Sequence, residues 1–237
     1  MNTCQQIKGI LLDSGDTLVR PKAGSWWPGS RIRRIVEESG IRNLAWNKME
    51  EALQQGMDYL DANHHILTEE EERDQFMTYY AIILRALGLA RPPDQLTRNL
   101  VEALGDDVGV EPFPETRSVL ESLQERNFRL GIISNAWPSL DRMYRELGFL
   151  DFFEVFVIAS QIGCCKPDER IFLTAIRQME LPPEDLLFVD DWPGYVQKAN
   201  EMGMKGVLID RNGENTHTPG MNRIESLDQL VESLDHQ

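Results

Sequence analysis

Cysteine is scarce in this chain of 237 residues, which holds only Cys4, Cys164 and Cys165. Two of the three are adjacent and none stands in a C-x-x-C or Cys/His ligand spacing. Neither a disulfide framework nor a zinc site has support, and a reduced, cytoplasmic setting is expected. The four histidines, His64, His65, His217 and His236, fit no ligand spacing either. Long apolar runs are missing: nothing approaches the roughly 18 residues of a membrane span. The start, MNTCQQIKG, lacks the basic and then apolar stretches of a secretory leader, so no membrane partner is expected. Basic residues are outnumbered, 24 Lys and Arg against 39 Asp and Glu, for a net charge of −15. That balance argues against a nucleic acid or an anionic membrane face. Small anionic substrates stay open, because a bound metal inverts the field locally. There is no G-x-G-x-x-G and no G-x-x-x-x-G-K-[ST], so dinucleotide and P-loop chemistry have no support.

What is present is the composition of an ordinary globular protein, 41% hydrophobic and 27% charged. The length suits one large domain or a domain with an inserted lobe. Short β-branched and leucine-rich runs occur at 7–12, 129–133, 155–159, 186–190 and 205–209, and the later ones alternate with amphipathic helical patterns. Apolar runs of this kind, buried on both faces and alternating with helices, predict a parallel α/β sheet. Residues 25–105 differ. Phe76, Tyr79, Tyr80, Ile83, Leu84 and Leu87 hold helical spacing, as do Trp46, Met49, Leu53, Met57 and Leu60, and then Leu96, Leu100 and Leu104. Thr68 before Glu69–Glu72 predicts a helix N-terminus. With no strand candidate inside it, the block reads as an all-helical lobe whose aromatic stripes are core, and Pro112-Phe113-Pro114 marks the return to the sheet.

Ligands of open parallel sheets bind beyond the carboxyl ends of the strands, so the residues directly after each run carry the functional signal. Asp13-Ser14-Gly15-Asp16-Thr17 follow the first run and Ser134-Asn135 the second; Lys166-Pro167 comes soon after the third, and the fourth ends on Asp190-Asp191. The set combines carboxylates for a hard divalent cation, a hydroxyl and an amide for phosphate oxygens, and one cationic anchor. Each piece alone is an ordinary turn or surface step. Together at successive strand ends they are a candidate site.

In order and spacing, GILLDSGDTL, RLGIISNAW, CCKPDERIF and LLFVDDWPGY resemble the four motifs of the haloacid dehalogenase superfamily, mostly phosphohydrolases with an aspartate nucleophile. The resemblance runs through nearly the whole chain. It implies a Rossmann-like parallel sheet core at 1–20 and 106–237 with an inserted all-helical cap at 21–105, as in the family's first structural subclass. It further implies that Asp13 attacks phosphorus and forms an aspartyl-phosphate. Mg²⁺ would be held by Asp13, the Gly15 carbonyl and Asp191, with Asp190 as ligand or close by. Ser134 and Asn135 would hydrogen-bond the phosphoryl group, and Lys166 would neutralise charge on Asp13 and the phosphate. The implied partner is a small phosphorylated metabolite, over which the cap closes; Lys22, Trp26 and Trp27 follow the first motif closely.

The chain departs from the pattern at one chemical position. Phosphatases of the family usually read D-x-D-x-T, the second aspartate being the general acid, and here that slot is Gly15 with Asp16 one place later. Tyr195 and Val196 stand where a further metal-reinforcing Asn or Asp is common. Several readings stay open: Asp16 supplies the proton, the substrate has a good leaving group such as an acyl phosphate, or the protein binds metal and phosphate with little turnover. A dehalogenase also lacks the second aspartate, although it needs no Asp190-Asp191 metal site. The D-x-G-x-T pattern of Asp13, Gly15 and Thr17 also resembles the first phosphate motif of actin-like kinases, a reading that leaves Lys166 and Asp190-Asp191 unexplained.

Overall fold

The computed structural model describes residues 6–22, 24–26, 28–105, 109–213, 215 and 220–235. Cys4, Trp27, His217, His236 and the side chain of Leu104 lie outside the described residues. The chain divides into two compact units, Met1–Arg20 with Pro112–Gln237, and Pro21–Glu111. The Pro-Phe-Pro step thus stands where the chain re-enters the first unit, at Pro112, a little beyond the 106 expected as the start of the core segment.

In the first unit the five apolar runs become β1 (Gly9–Leu12), β4 (Arg129–Ser134), β5 (Val155–Ile158), β6 (Leu186–Asp190) and β7 (Lys205–Ile209). A sixth strand, β8 (Asn222–Ile224), completes a sheet of order β5-β4-β1-β6-β7-β8 whose pairings are all parallel. Ile10, Leu11 and Leu12 are fully buried, as expected of a central strand covered on both faces. Helices α8 (Glu169–Met179) and α9 (Pro193–Glu201) pack on the sheet, and Phe172 of α8 meets Phe188 of β6 edge to face at 5.3 Å. From β1 the chain proceeds to one side, through β4 and β5, and then returns to the other through β6, β7 and β8. The topological switch point thus falls between β1 and β6. Two three-residue strands, β2 (Val19–Pro21) and β3 (Val110–Pro112), pair separately where the chain leaves this unit and re-enters it.

The second unit is built from α1 (Gly29–Glu38), α2 (Met49–Ala62), α3 (Glu69–Ala86) and α4 (Asp94–Gly105). Thr68 caps α3 through a capping box: its hydroxyl accepts from the Glu71 N–H while the Glu71 carboxylate accepts from the Thr68 N–H at 3.1 Å. The helix lies between α2 and α4, burying Tyr79, Tyr80, Ile83 and Leu84, with the Tyr79 and Tyr80 rings 5.0 Å apart. Close approach of α2 requires Gly56, since a Cβ there would stand 2.6 Å from the Tyr79 ring. No helix among the described residues is long and apolar enough to cross a membrane.

Candidate active site

β1 delivers Asp13 beyond its carboxyl end, where the Asp13 N–H donates to the Val189 carbonyl at 2.9 Å, continuing the ladder to β6 for one more residue. β6 in turn ends on Asp190, fully buried. Between them lies Lys166, whose side chain is 1% exposed. All three of its ammonium protons have partners: Asp13 Oδ1 at 2.5 Å, Asp190 Oδ2 at 2.6 Å and the Ile133 carbonyl at 3.0 Å. The rings of Phe188 and Tyr195 stand 5.6 and 5.1 Å from the nitrogen. Burial works against the charged ammonium, but Asp13 and Asp190 outweigh it and hold Lys166 above the ordinary lysine range.

The structure thus brings Asp13, Lys166 and Asp190 into direct contact and sets Asp191 beside them. Both oxygens of Asp190 are engaged, Oδ2 with Lys166 and Oδ1 with the Trp192 N–H at 2.8 Å. Its carboxyl is raised by burial, with Lys166 pulling it back toward ionisation. Lys166 acts on Asp191 as well, but as the weakest of its influences. Burial, then the charges of Asp13 and Asp16, push it up to about 7. One ammonium therefore faces three carboxylates at adjoining strand ends, with a fourth, Asp16, close enough to act on Asp191. Such an excess of buried negative charge calls for a cation.

Asn135 follows β4 and reads the Lys166 peptide from both sides. Its Oδ1 accepts the Lys166 N–H at 2.7 Å, while its Nδ2 donates to the Lys166 carbonyl at 3.3 Å and to Tyr195 Oη at 3.2 Å. In this geometry the amide braces the lysine loop. Ser134 is buried at the carboxyl end of β4. Cys164 is buried in the core cluster, with its thiol pushed up by burial; Cys165 is half-buried. Both flank Lys166 as packing groups.

The first-motif loop closes tightly: Asp16 N–H donates to Val19 at 2.8 Å, and the Leu18 and Val19 N–H groups both reach the Ser14 carbonyl, at 2.8 and 3.1 Å. The Gly15 carbonyl takes none of these bonds and so is left available as a ligand. Asp16 has φ +54°, a left-handed conformation that costs a non-glycine residue roughly 1–2 kcal/mol. Three residues that hold this loop were not singled out from sequence. Tyr144 of α6 (Ser139–Glu146), fully buried, donates to Ser14 Oγ at 2.8 Å. Thr116, which begins α5 (Thr116–Glu125), donates to the Leu18 carbonyl at 2.8 Å. Arg211 donates to the carbonyls of Asp16 and Thr17 at 3.1 and 2.7 Å. The strand-end rule that located the other residues would have found Arg211 too, since Asp210-Arg211 directly follow β7.

Among the described residues no cluster of three or more His, Cys, Asp or Glu side chains has a metal-holding arrangement. The donor set that fits a hard cation here is smaller: the carboxylates of Asp13 and Asp191 with the backbone carbonyl of Gly15, all oxygen. The burial of Asp191 beside Asp13 and Asp16, whose charges with burial outweigh that of Lys166, is the observation in favour of that fit.

An aspartate at the switch point of a parallel sheet, bound to a buried lysine and backed by a carboxylate pair, defines a hydrolase class. A family model for haloacid dehalogenase-like hydrolases matches residues 7–203. The chain belongs to that family, and is a hydrolase. It is 28% identical over 213 residues to a glyceraldehyde 3-phosphate phosphatase of Methanopyrus kandleri, covering 86% of this chain and 84% of that protein. Among solved structures it superposes on a 2-haloacid dehalogenase from Pseudomonas syringae with TM-score 0.70 and 22% identity, over 98% of this chain and 99% of that one. A Bacillus subtilis HAD-hydrolase bound to magnesium superposes with TM-score 0.69 and 16% identity, over 97% and 99%. Both structural likenesses concern the fold.

Proposed function

We propose that this hydrolase is a phosphatase of small phosphorylated metabolites. The observation that carries the reading is the excess of carboxylate over ammonium at the Asp13, Lys166, Asp190 and Asp191 cluster. Displacement at carbon needs no such excess, whereas binding a divalent cation with a phosphate does. The phosphatase among the relatives supports the same choice.

Asp13 attacks phosphorus through Oδ2 while Oδ1 stays on Lys166, which holds the nucleophile in one orientation. The Lys166 ammonium offsets charge building on the transferring oxygens. Ser134, at the end of β4, hydrogen-bonds the phosphoryl group, and Asn135 acts through Lys166 by fixing its peptide. Asp13, Asp191 and the Gly15 carbonyl would hold Mg²⁺, which would supply neutralisation of phosphate charge. Hydrolysis of the aspartyl-phosphate by water then frees Asp13. With Gly15 in the usual acid slot, protonated Asp16, one place later on the same turn, gives its proton to the leaving oxygen and takes one back from the water that hydrolyses the aspartyl-phosphate.

Phosphate release measured with and without Mg²⁺ tests the reading on an alkyl, an aryl and an acyl phosphate. Asp13→Asn abolishes release from all three. Asp16→Asn lowers the alkyl ester rate about 10²–10⁴-fold and leaves the acyl phosphate within a few-fold. A uniform loss across the three substrates removes Asp16 as the acid. No release by the wild type, with Mg²⁺-dependent phosphate binding intact, replaces the phosphatase by a binding protein.

A further inference from the structure

Arg211 reaches the back of the nucleophile loop from a strand that contributes nothing else to the site. Its guanidinium donates from Nε to the Asp16 carbonyl at 3.1 Å, from Nη2 to the Thr17 carbonyl at 2.7 Å and from Nη1 to Glu115 Oε1 at 2.7 Å. Its plane lies on Phe113, the guanidinium carbon 3.5 Å from the ring centre, and the side chain is 14% exposed. Phe113 is itself tied to the same loop, its N–H donating to Leu18 at 3.1 Å. One side chain thus joins the end of β7, the residues that start α5, and the turn carrying Asp13, Gly15 and Asp16.

Three features make this more than a surface ion pair. The guanidinium donates to the carbonyls of both Asp16 and Thr17, and so constrains the planes of two successive peptides. A planar fork with fixed directions does this and a flexible ammonium does not. The held residue, Asp16, is in the left-handed region, which persists only where the surroundings over-determine it. And Gly15, lacking a side chain, gives the turn no stiffness of its own at the point where the chemistry needs it. Glu115 completes the arrangement by satisfying the remaining edge of the guanidinium and holding it against the ring.

We propose that Arg211, held by Glu115 and Phe113, is a positioning residue for the reaction: it fixes the Gly15-Asp16 turn so that the Gly15 carbonyl and the Asp16 carboxyl point where the reaction uses them. It touches no substrate atom and acts through the backbone. The inference rests on the phosphatase reading above, and the experiment separates the two.

The test compares wild type, Arg211→Ala and Arg211→Lys in steady-state phosphate release from an alkyl phosphate. Each rate is normalised to the folded fraction measured by thermal denaturation. Arg211→Ala lowers kcat at least tenfold with KM within threefold, and a few tens of millimolar guanidinium ion restores a measurable part of kcat. Arg211→Lys, which keeps charge without the fork, recovers only a minor part. The same guanidinium does nothing for Asp13→Asn. A kcat per folded molecule within twofold of wild type, or a loss that guanidinium leaves untouched, overturns the proposal. If the wild type releases no phosphate from any ester, the phosphatase reading falls instead, and amide hydrogen exchange decides the positioning claim. Exchange at Asp16, Leu18 and Val19 quickens at least tenfold in Arg211→Ala if the claim holds, and unchanged rates there overturn it.

Discussion

Asp191 contributes a pH dependence to the stability of the protein without metal, which His64, lowered by burial, opposes in part. Its carboxyl is raised to about 7 in the folded chain, by burial and by Asp13 and Asp16, against an ordinary value near 3.8 when unfolded. Between those values the folded state holds a proton that the unfolded state has lost, so stability falls as pH rises from about 4 to about 7 and then levels. Asp190, shifted in the same direction, adds to the slope. Carboxylates held low, such as Asp168 beside Arg170, act only below this window. With EDTA present, Tm is expected to be lower at pH 8 than at pH 5.5. Added Mg²⁺ raises Tm more at pH 8, because a cation binds the ionised carboxylates and relieves their repulsion. A Tm that climbs with pH in EDTA, or an Mg²⁺ effect larger at pH 5.5, removes these aspartates as the cation site.

At the scale of elements, α3 shows how local signals combine. The Thr68–Glu71 capping box satisfies N–H groups that the first turn leaves without helical partners, and four successive glutamates complement the helix dipole. Thr68→Ala is expected to cost about 1 kcal/mol, within a range of 0.5–2. That is a drop of roughly 2–4 °C in Tm for a chain of this size, and thermal denaturation by circular dichroism checks it; an unchanged Tm means the box contributes nothing.

The same scale separates what could be read from sequence and what could not. β1, β4, β5, β6 and β7 were legible because strands buried on both faces are written as continuous apolar runs. β2, β3 and β8 were not, since three residues such as Asn222–Ile224 carry no periodicity. Asp13, Lys166 and Asp190 were legible as charged residues at strand ends. Their mutual contact was not, because the order of the strands is decided by packing across the whole sheet. Tyr144 was hidden for a different reason: it bonds to a serine hydroxyl far along the chain, so no partner residue betrays it in the sequence. Arg211 and Asn135 stand at strand ends and were legible in position but not in role, since both bond to the backbone of loops that exist only in the fold.

At the scale of the whole molecule, the net charge of −15 opposes the approach of a phosphate dianion. Screening shortens the reach of that field from about 20 Å at 20 mM salt to below 10 Å at 200 mM. Raising the ionic strength over this range is therefore expected to lower KM for a phosphate ester several-fold while kcat stays constant. This is the reverse of an enzyme that steers anions with a basic surface. A KM that rises with salt under saturating Mg²⁺ shows that the local field of Lys166 and the cation governs encounter.

The central place of β1 also governs the order in which the protein can form during synthesis. Gly9–Leu12 leaves the ribosome well before its hydrogen-bonding neighbours, which begin at Arg129 and Leu186 on either side of it in the sheet. The helices of residues 29–105 intervene and make their contacts locally, among α1, α2, α3 and α4. A growing chain therefore completes its helical unit while four apolar residues upstream remain without either pairing edge. Non-local parallel pairing is slow and leaves strands open to association with other chains. The segment that ends at the nucleophile is thus made long before both of its pairing partners and enclosed only after them, and a chain cut short before β6 carries it with one edge bare.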